Sequence, residues 1–465
     1  MRASDPTVDP IARAGSGSTA GSNSHPTDVE PPLPALGVPR YPLLLALYVS
    51  QYLGIGFLFY GTASILREMG ASLDSLAVLS SLGMIWALKF LWAPLIDRVG
   101  PGWRGGHYRT WLLVLQPACA AVLVAMSFLT DIGEQYGIFV ALTALYVAVS
   151  ATQDIAVDAL AVRLVRPHER ESVNGIQVSG SFVGNILGGG LTAILYEVTG
   201  WQVALLTLAV CTLLPTLAVL ALCEPAHRRP ARPVPWSATW TLLRQPGATL
   251  WVFAAVPVTW GGLTAAYGVL NPALVDAGWS VGEIAAVLTM FGGIVAGLVS
   301  MGAGPILRRI GRLRSLVAVG ALTALGVAGF LPVAGGWAPT AYVVVVVAVF
   351  FAAYAVGSII VWTINMDYAR AESPGTDFTA VSSFAMLVSF AGGAVALSLA
   401  DTFGYVPVLA TAGAVHVAGL VLLARHQRRF RTESLNAGAG PLAGAAGAAV
   451  VPSPHRPEVP SPSGR

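Results

Sequence analysis

Three charged residues inside apolar segments share a pattern that could handle protons. Lys89 lies in an apolar run eight residues before Asp97, and Asp154 and Asp158 lie four residues apart. A four-residue spacing puts both carboxyls on one face of a helix, with Asp154 about 6 Å deeper. Neighbouring carboxyls in apolar surroundings can share a proton. The spacing therefore suggests reversible proton binding, with Asp154 as the favoured carrier.

Lys89 is the only lysine, beside 25 arginines. An ammonium is a compact charge, whereas a guanidinium is planar and delocalised, so the two are not interchangeable. We interpret Lys89 as a cation that faces a central cavity and contacts an anionic substrate or a coupling acid. The alternative is a side chain that extends to the membrane surface.

Other polar side chains accompany these three. Candidates for proton coupling or substrate contact are Gln153, Gln51, Tyr52, Gln177 and Asn365. Asp154 could instead be structural, and Asp158 could pair with Arg163, Arg98 or Arg104. Asp367 precedes Arg370 by three residues, which favours an ion pair at a gate.

The elements that position these residues follow from composition. The chain has 465 residues, of which 55% are hydrophobic and 11% charged, and the mean hydropathy is +0.70. A soluble protein carries about 25% charged residues. The composition therefore excludes a large soluble enzyme and indicates a polytopic membrane protein. No metal-ligand cluster, nucleophile–base pair or phosphate-binding loop is present in the sequence, so we expect no enzyme activity, no cofactor and no metal.

Twelve apolar segments are long enough to cross a bilayer as helices, which requires about 20 residues each. They lie near 42–66, 75–96, 110–129, 137–159, 173–196, 202–223, 249–270, 282–305, 314–333, 339–363, 379–399 and 404–424. Arginines concentrate in the loops on one side, and the loops on the other side contain only Arg67. By the positive-inside rule, this asymmetry predicts that both termini are cytoplasmic. Topology explains the basic clusters, so we expect no nucleic-acid partner.

The domain organisation follows from these segments. We expect a disordered cytoplasmic tail over 1–40, a six-helix half over 41–223, a basic cytoplasmic linker over 224–248, a second half over 249–430 and a disordered tail over 431–465. The expected class is an all-α polytopic membrane protein with two pseudo-symmetric six-helix halves.

Each half contains a copy of the same loop motif. Ala93-Pro-Leu-Ile-Asp-Arg-Val-Gly100 aligns without a gap with Gly304-Pro-Ile-Leu-Arg-Arg-Ile-Gly311. The loop resembles the G-x-x-x-D-R-x-G motif of the major facilitator superfamily, although Ala93 replaces the first glycine and Arg308 replaces the acid. The resemblance covers residues 40–430 and implies the twelve-helix fold of that superfamily. The residues assigned to the cytoplasmic gate are Asp97, Arg98, Gly100, Arg163, Arg308, Arg309, Gly311 and Asp367.

Further stretches resemble a narrower group, the peptide/acetyl-coenzyme A/drug transporters, which includes muropeptide permeases. These are residues 88–98, 151–159 and 378–380. Residues 106–113, 158–163 and 174–178 look most similar to its siderophore-permease branch, whereas Val381-Ser382 departs from the pattern Thr-Gln that relatives often carry.

The resemblance implies a proton-coupled secondary transporter of the cytoplasmic membrane that works by alternating access and imports a ferric siderophore. The alternatives are a permease for muropeptides or another polar anionic metabolite, an efflux pump and a non-transporting membrane sensor. The expected partners are the small-molecule substrate, protons and the lipid bilayer, and the chain is expected to be a monomer.

Overall fold

The computed structural model describes residues 35–62, 65–66, 75, 78–79, 81–100, 106–225 and 234–436. Within these residues the regular secondary structure is helical. The helices are α1 (Arg40–Gly56), α2 (Gly83–Ala87), α3 (Ala93–Arg98), α4 (His107–Ser127), α5 (Tyr136–Leu164), α6 (Arg170–Asn185), α7 (Thr192–Thr199), α8 (Trp201–Ala221), α9 (Ala238–Thr241), α10 (Ala248–Leu250), α11 (Val256–Gly268), α12 (Leu270–Asp276), α13 (Val281–Ile284), α14 (Gly292–Ile310), α15 (Arg312–Gly329), α16 (Leu331–Ala334), α17 (Thr340–Tyr368), α18 (Pro374–Phe403) and α19 (Tyr405–Asn436).

Several short helices join into longer spans through π-helical turns, for example α6 and α7 through Ile186–Leu191. In the described part of the chain, eleven helical stretches are long and apolar enough to cross a membrane. The predicted second span, 75–96, is described only in part. Its described end consists of α2, a 3₁₀ turn over Leu88–Leu91 and α3.

The helices pack into two sets. In the first half α1 packs on α6, and α4 packs on α5 and α8; in the second half α11 packs on α18 and α19, and α17 packs on α14 and α15. Large buried clusters of apolar side chains fill each half, and two of them extend across the seams through Val178, Met366 and Phe378.

Two seams join the halves. One is formed by α6 and α14, and the other by α18 against α3 and α5. Glycine permits the close approach at the first seam, because a Cβ added at Gly304 would lie 2.5 Å from the Cα atom of Ser172. The seams matter for the site because both α5 and α6 also carry its polar residues.

The ends of the predicted domains differ in detail from the observed elements. Residues 1–34 and 437–465 of the predicted tails, and 226–233 of the linker, lie outside the described residues. The rest of the linker contains the short helix α9, and α19 continues to Asn436, six residues into the predicted C-terminal tail.

Candidate functional site

A buried ion pair lies at the centre of the first half. The ammonium of Lys89 contacts Oδ2 of Asp154, and the amide of Gln51 donates to Oδ1 of the same carboxylate. The three residues are 2%, 3% and 1% exposed, respectively. The buried ammonium of Lys89 therefore contacts the carboxylate of Asp154. The alternative, in which the side chain of Lys89 extends to the membrane surface, is wrong.

Three different elements bring this pair together. Lys89 comes from the 3₁₀ turn of the second span, Asp154 from α5 and Gln51 from α1. The indole of Trp86 lies beneath the ammonium, 5.6 Å from its ring centroid, and contacts the ring of Tyr52 with centroids 5.7 Å apart. An aromatic face attracts a cation, so Trp86 adds to the stabilisation of Lys89.

Asp158 occupies a separate polar position one turn along α5. Its Oδ1 accepts hydrogen bonds from the hydroxyl of Tyr48 on α1 and from Nε2 of Gln177 on α6, both at 3.0 Å. Asp158 is 1% exposed. The sequence left open a pairing of Asp158 with Arg163, Arg98 or Arg104. Arg163 instead binds Glu224 at 2.7 Å, Arg98 is exposed, and Arg104 lies outside the described residues.

Two of the sequence candidates lie away from this cluster. Gln153 faces α4, where its Oε1 is 3.8 Å from Sγ of Cys119, because consecutive helical residues point about 100° apart. Asn365 is fully buried in the second half, where its Oδ1 accepts from the indole of Trp251 at 2.8 Å. These two amides are therefore not part of the Lys89–Asp154 cluster, and their role in proton or substrate binding stays a prediction.

The arginine-rich end of the bundle is closed by contacts between the halves. Asp97 of α3 accepts the backbone N–H groups of Gly375 and Thr376 at 3.2 and 2.7 Å, and the hydroxyl of Tyr108 at 2.7 Å. Gly375 and Thr376 lie in the first turn of α18. A carboxylate is favoured there because a helix N-terminus exposes unpaired N–H groups and carries partial positive charge.

An ion-pair network closes the other seam. Asp367 of α17 binds Arg170 of α6 at 2.5 Å and also Arg312 of α15, which in turn reaches Glu171 of α6 at 2.8 Å. Asp367 thus forms an ion pair between the halves, but with these arginines. Arg370, the neighbour that the sequence favoured, binds Asp377 through Nε and Nη2 at 2.6 and 2.7 Å.

The remaining gate candidates contribute less. Arg98 and Arg309 are exposed, and Arg308 approaches the carbonyl of His168 only at 3.5 Å. Gly311 adopts a positive φ of 85° that caps α14, and a Cβ at Gly100 would lie 2.6 Å from Nδ1 of His107. These two glycines therefore shape the loops, while the acids and Arg170 and Arg312 hold the seams.

Glu224 is a buried acid at the arginine-rich end of the first half that sequence reasoning missed. It lies just after α8, where it accepts the amide N–H of Arg109 at 2.8 Å and the guanidinium of Arg163. Burial raises the pKa of this carboxyl, although both donors act in the opposite direction. An acid directly after an apolar span, ahead of a basic loop, was the available signal.

Two helical halves that meet at ion-paired seams, with a buried ion pair inside the first half, form the arrangement of a membrane transporter. The family model of the Major Facilitator Superfamily matches residues 44–397. The chain belongs to the Major Facilitator Superfamily. It is therefore a multi-pass membrane protein, and the family is one of transporters and not of enzymes.

Comparison with individual relatives indicates a narrower group within the superfamily. The chain is 30% identical over 193 residues to the anhydromuropeptide permease of Escherichia coli K12, covering 41% of this chain and 39% of that protein. It is 24% identical over 268 residues to a putative transporter, AmpG 4, of Rickettsia conorii, covering 55% and 64%. An uncharacterised protein of Haemophilus influenzae is 32% identical over 148 residues, covering 32% and 34%. The chain thus spans about a third to two thirds of the length of these relatives. The muropeptide-permease-like character predicted from the sequence is confirmed.

Solved structures show the same fold at low identity. The human organic anion transporter MFSD10 aligns with a TM-score of 0.64 at 17% identity, over 82% of this chain and 97% of that one. The proton:xylose symporter XylE aligns with a TM-score of 0.62 at 13% identity, over 83% and 95%. The predicted major facilitator fold is confirmed.

Proposed function

We propose that the protein is a proton-coupled permease of the cytoplasmic membrane that imports a polar anionic metabolite of the muropeptide class by alternating access. The observation that carries the proposal is the buried Lys89–Asp154 pair, because a charge within a membrane protein is costly and is retained where it handles ions or substrate. The relatedness to muropeptide permeases supports the substrate class.

Lys89 and Asp154 would exchange partners during transport. An anionic group of the substrate would replace the carboxylate of Asp154 at the ammonium, and the aromatic rings of Trp86 and Tyr52 would contact its uncharged part. The seams closed by Asp97 and Asp367 lie on the arginine-rich side, which the positive-inside rule assigns to the cytoplasm. Opening those seams would release the substrate inward.

The test is uptake into proteoliposomes under an imposed pH gradient. Labelled anhydromuropeptide and a labelled ferric siderophore are offered separately, with and without an uncoupler, to the unaltered protein and to Lys89→Ala. We expect uncoupler-sensitive accumulation of the muropeptide and at least about a tenfold loss in Lys89→Ala, equivalent to about 1.4 kcal/mol of lost substrate binding. Arg314→Ala is the matched control, since it removes an exposed basic residue.

Each alternative has its own result. Accumulation of the ferric siderophore alone would move the substrate to the class that residues 106–113 and 174–178 resemble. Binding of a ligand without accumulation would indicate a sensor. Normal transport by Lys89→Ala would overturn the role given to the ion pair.

A further inference from the structure

The charges of the buried cluster do not balance. It contains two carboxyls, Asp154 and Asp158, and one ammonium, that of Lys89. Lys89 contacts Asp154, whereas the donors on Asp158, Tyr48 and Gln177, are neutral. A carboxylate buried without a cation is strongly unfavourable, and such a group takes up a proton instead. Balance therefore requires one proton, and the contacts decide which acid carries it.

Both carboxylate oxygens of Asp154 already contact a donor. The amide of Gln51 donates to its Oδ1, and the ammonium of Lys89 contacts its Oδ2. Protonation of Asp154 would neutralise the partner of Lys89 and leave the ammonium buried without a counter-charge. Removing one member of a buried ion pair is strongly destabilising, so this acid is best ionised while Lys89 is in contact.

Asp158 has the complementary arrangement. Both of its neutral donors reach the same oxygen, Oδ1. Gln177 donates through Nε2, while its own Oε1 is buried and accepts no hydrogen bond from the described residues. A carboxylic acid and a carboxamide can pair through two hydrogen bonds, one in each direction. A proton on Oδ2 of Asp158 would supply the donor that Oε1 of Gln177 lacks.

We propose that Asp158 carries the coupled proton, with Gln177 as the positioning residue that accepts its acid proton, and that Asp154 remains the ionised partner of Lys89 until substrate binds. This assignment rests on the proposed proton-coupled function and replaces Asp154, which the sequence favoured as the carrier. Gln177 lies on α6, which packs on α14 of the other half. A change in the protonation state of Asp158 would thus alter a hydrogen bond of α6, the helix that forms the seam with α14.

The other ionisable groups around α5 are already engaged. Tyr48 on α1 donates to Asp158 itself, and Asp97 on α3 binds the start of α18. Asp377 on α18 pairs with Arg370, and Arg163, further along α5, pairs with Glu224. These contacts leave Lys89 as the cation that separates the roles of the two acids.

A substrate-free experiment tests the proton site. Infrared difference spectra of the purified protein are recorded across a pH titration, and the carbonyl stretching band of a protonated carboxylic acid is followed. We expect the band to titrate in the unaltered protein and in the double variant Lys89→Met/Asp154→Asn, which removes both members of the ion pair, and to be lost in Asp158→Asn. Gln177→Leu should shift its frequency by removing the hydrogen bond. Loss of the band in the double variant with retention in Asp158→Asn would overturn the proposal, as would an unshifted band in Gln177→Leu.

A transport experiment then tests coupling. Asp158→Asn mimics the protonated side chain, so we expect substrate exchange between equal pH values to persist while accumulation driven by a pH gradient falls at least tenfold. Asp154→Asn should lose both. Gradient-driven accumulation by Asp158→Asn would overturn the assignment. If the unaltered protein transports no muropeptide, the proposed function fails alone, because the infrared titration needs no substrate.

Discussion

At the residue scale, the buried ion pair of Lys89 and Asp154 links three helical elements of the first half. Lys89 reaches Asp154 on α5, and that carboxylate also holds Gln51 of α1. With three elements meeting at one carboxylate, the pair holds the first half together in addition to its proposed role in transport. Its two roles can be separated because stability and transport are measured independently.

A double-mutant cycle measures the structural role. Lys89→Met and Asp154→Asn each leave one buried charge without its partner, and we expect each to lower the free energy of unfolding by about 3–5 kcal/mol. The double variant should lose clearly less than the sum, because no unpaired charge remains. Thermal unfolding of the purified variants gives the three values. Strictly additive losses would mean that the pair is not coupled in stability.

The sequence predicted which residues belong to this cluster, but it did not predict which of them contact one another. Lys89, Asp154 and Asp158 stood out because charges are rare in apolar segments, and Gln51 and Gln177 followed from the same argument. Sequence spacing placed both acids on one face of α5, but it could not show that Lys89 selects Asp154. That choice depends on contacts between helices far apart in the chain.

At the element scale, the contact between α6 and α1 depends on glycine. A Cβ at Gly184 would lie 2.6 Å from the backbone oxygen of Val49 and from Cβ of Tyr52, and a Cβ at Gly180 would lie 2.7 Å from Cβ of Tyr48. The backbone oxygen cannot move aside as a flexible side chain does. The close contact places Tyr48 and Gln177 on the same carboxylate, that of Asp158.

A matched pair of substitutions tests this packing. Gly184→Ala forces α1 away from α6, and we expect it to lower stability by about 1–3 kcal/mol, as overpacking does. Gly190→Ala, in the same span, meets no atom within 4 Å, so it should be neutral or slightly stabilising, since alanine favours a helix by up to about 1 kcal/mol. Melting temperatures of the two variants provide the comparison. Equal melting temperatures would contradict the close packing.

Gly180, Gly184 and Gly188 are spaced four residues apart in the fifth span, so they lie on one helical face, a pattern typical of close helix packing. The partner of this face was not readable, since nothing local identifies α1. The 3₁₀ turn at Leu88–Leu91 was likewise absent from the sequence prediction, which treated the second span as one helix.

At the scale of the whole molecule, the closed end depends on a carboxylate at a helix N-terminus. Asp97 binds the first turn of α18, and Asp367 links α17 to Arg170 of the opposite half. The loop motif predicted Asp97, whereas its receptor, the first turn of α18, lies 278 residues further along the chain. In the second copy of the loop Arg308 replaces this acid, and among the described residues it approaches only the carbonyl of His168, at 3.5 Å.

Loss of the Asp97 charge should open this end. Asp97→Asn removes charge-assisted hydrogen bonds worth about 1.5–3 kcal/mol, which corresponds to a shift of about tenfold or more in the ratio of closed to open molecules. Spin labels attached at Val99 and Glu372, which are both exposed, would report longer distances by electron resonance.

The control for that measurement is Glu283→Gln. Glu283 lies in the second half, at the end opposite the arginine-rich seams. Its carboxylate accepts the N–H of the exposed Ser280 at 2.9 Å. This variant should leave the label distances unchanged. The same distances in Asp97→Asn and the unaltered protein would show that the seam is held by other contacts.

The short stretch from Lys89 to Asp97 connects the buried ion pair to the seam between the halves. One end touches Asp154 inside the first half, and the other end is bound to α18 of the second half. A displacement of Asp97 would therefore be expected to move Lys89 relative to Asp154. A compound wedged between α3 and α18 would consequently disable the protein without resembling its substrate, which makes this seam a place for inhibitors that substrate cannot displace.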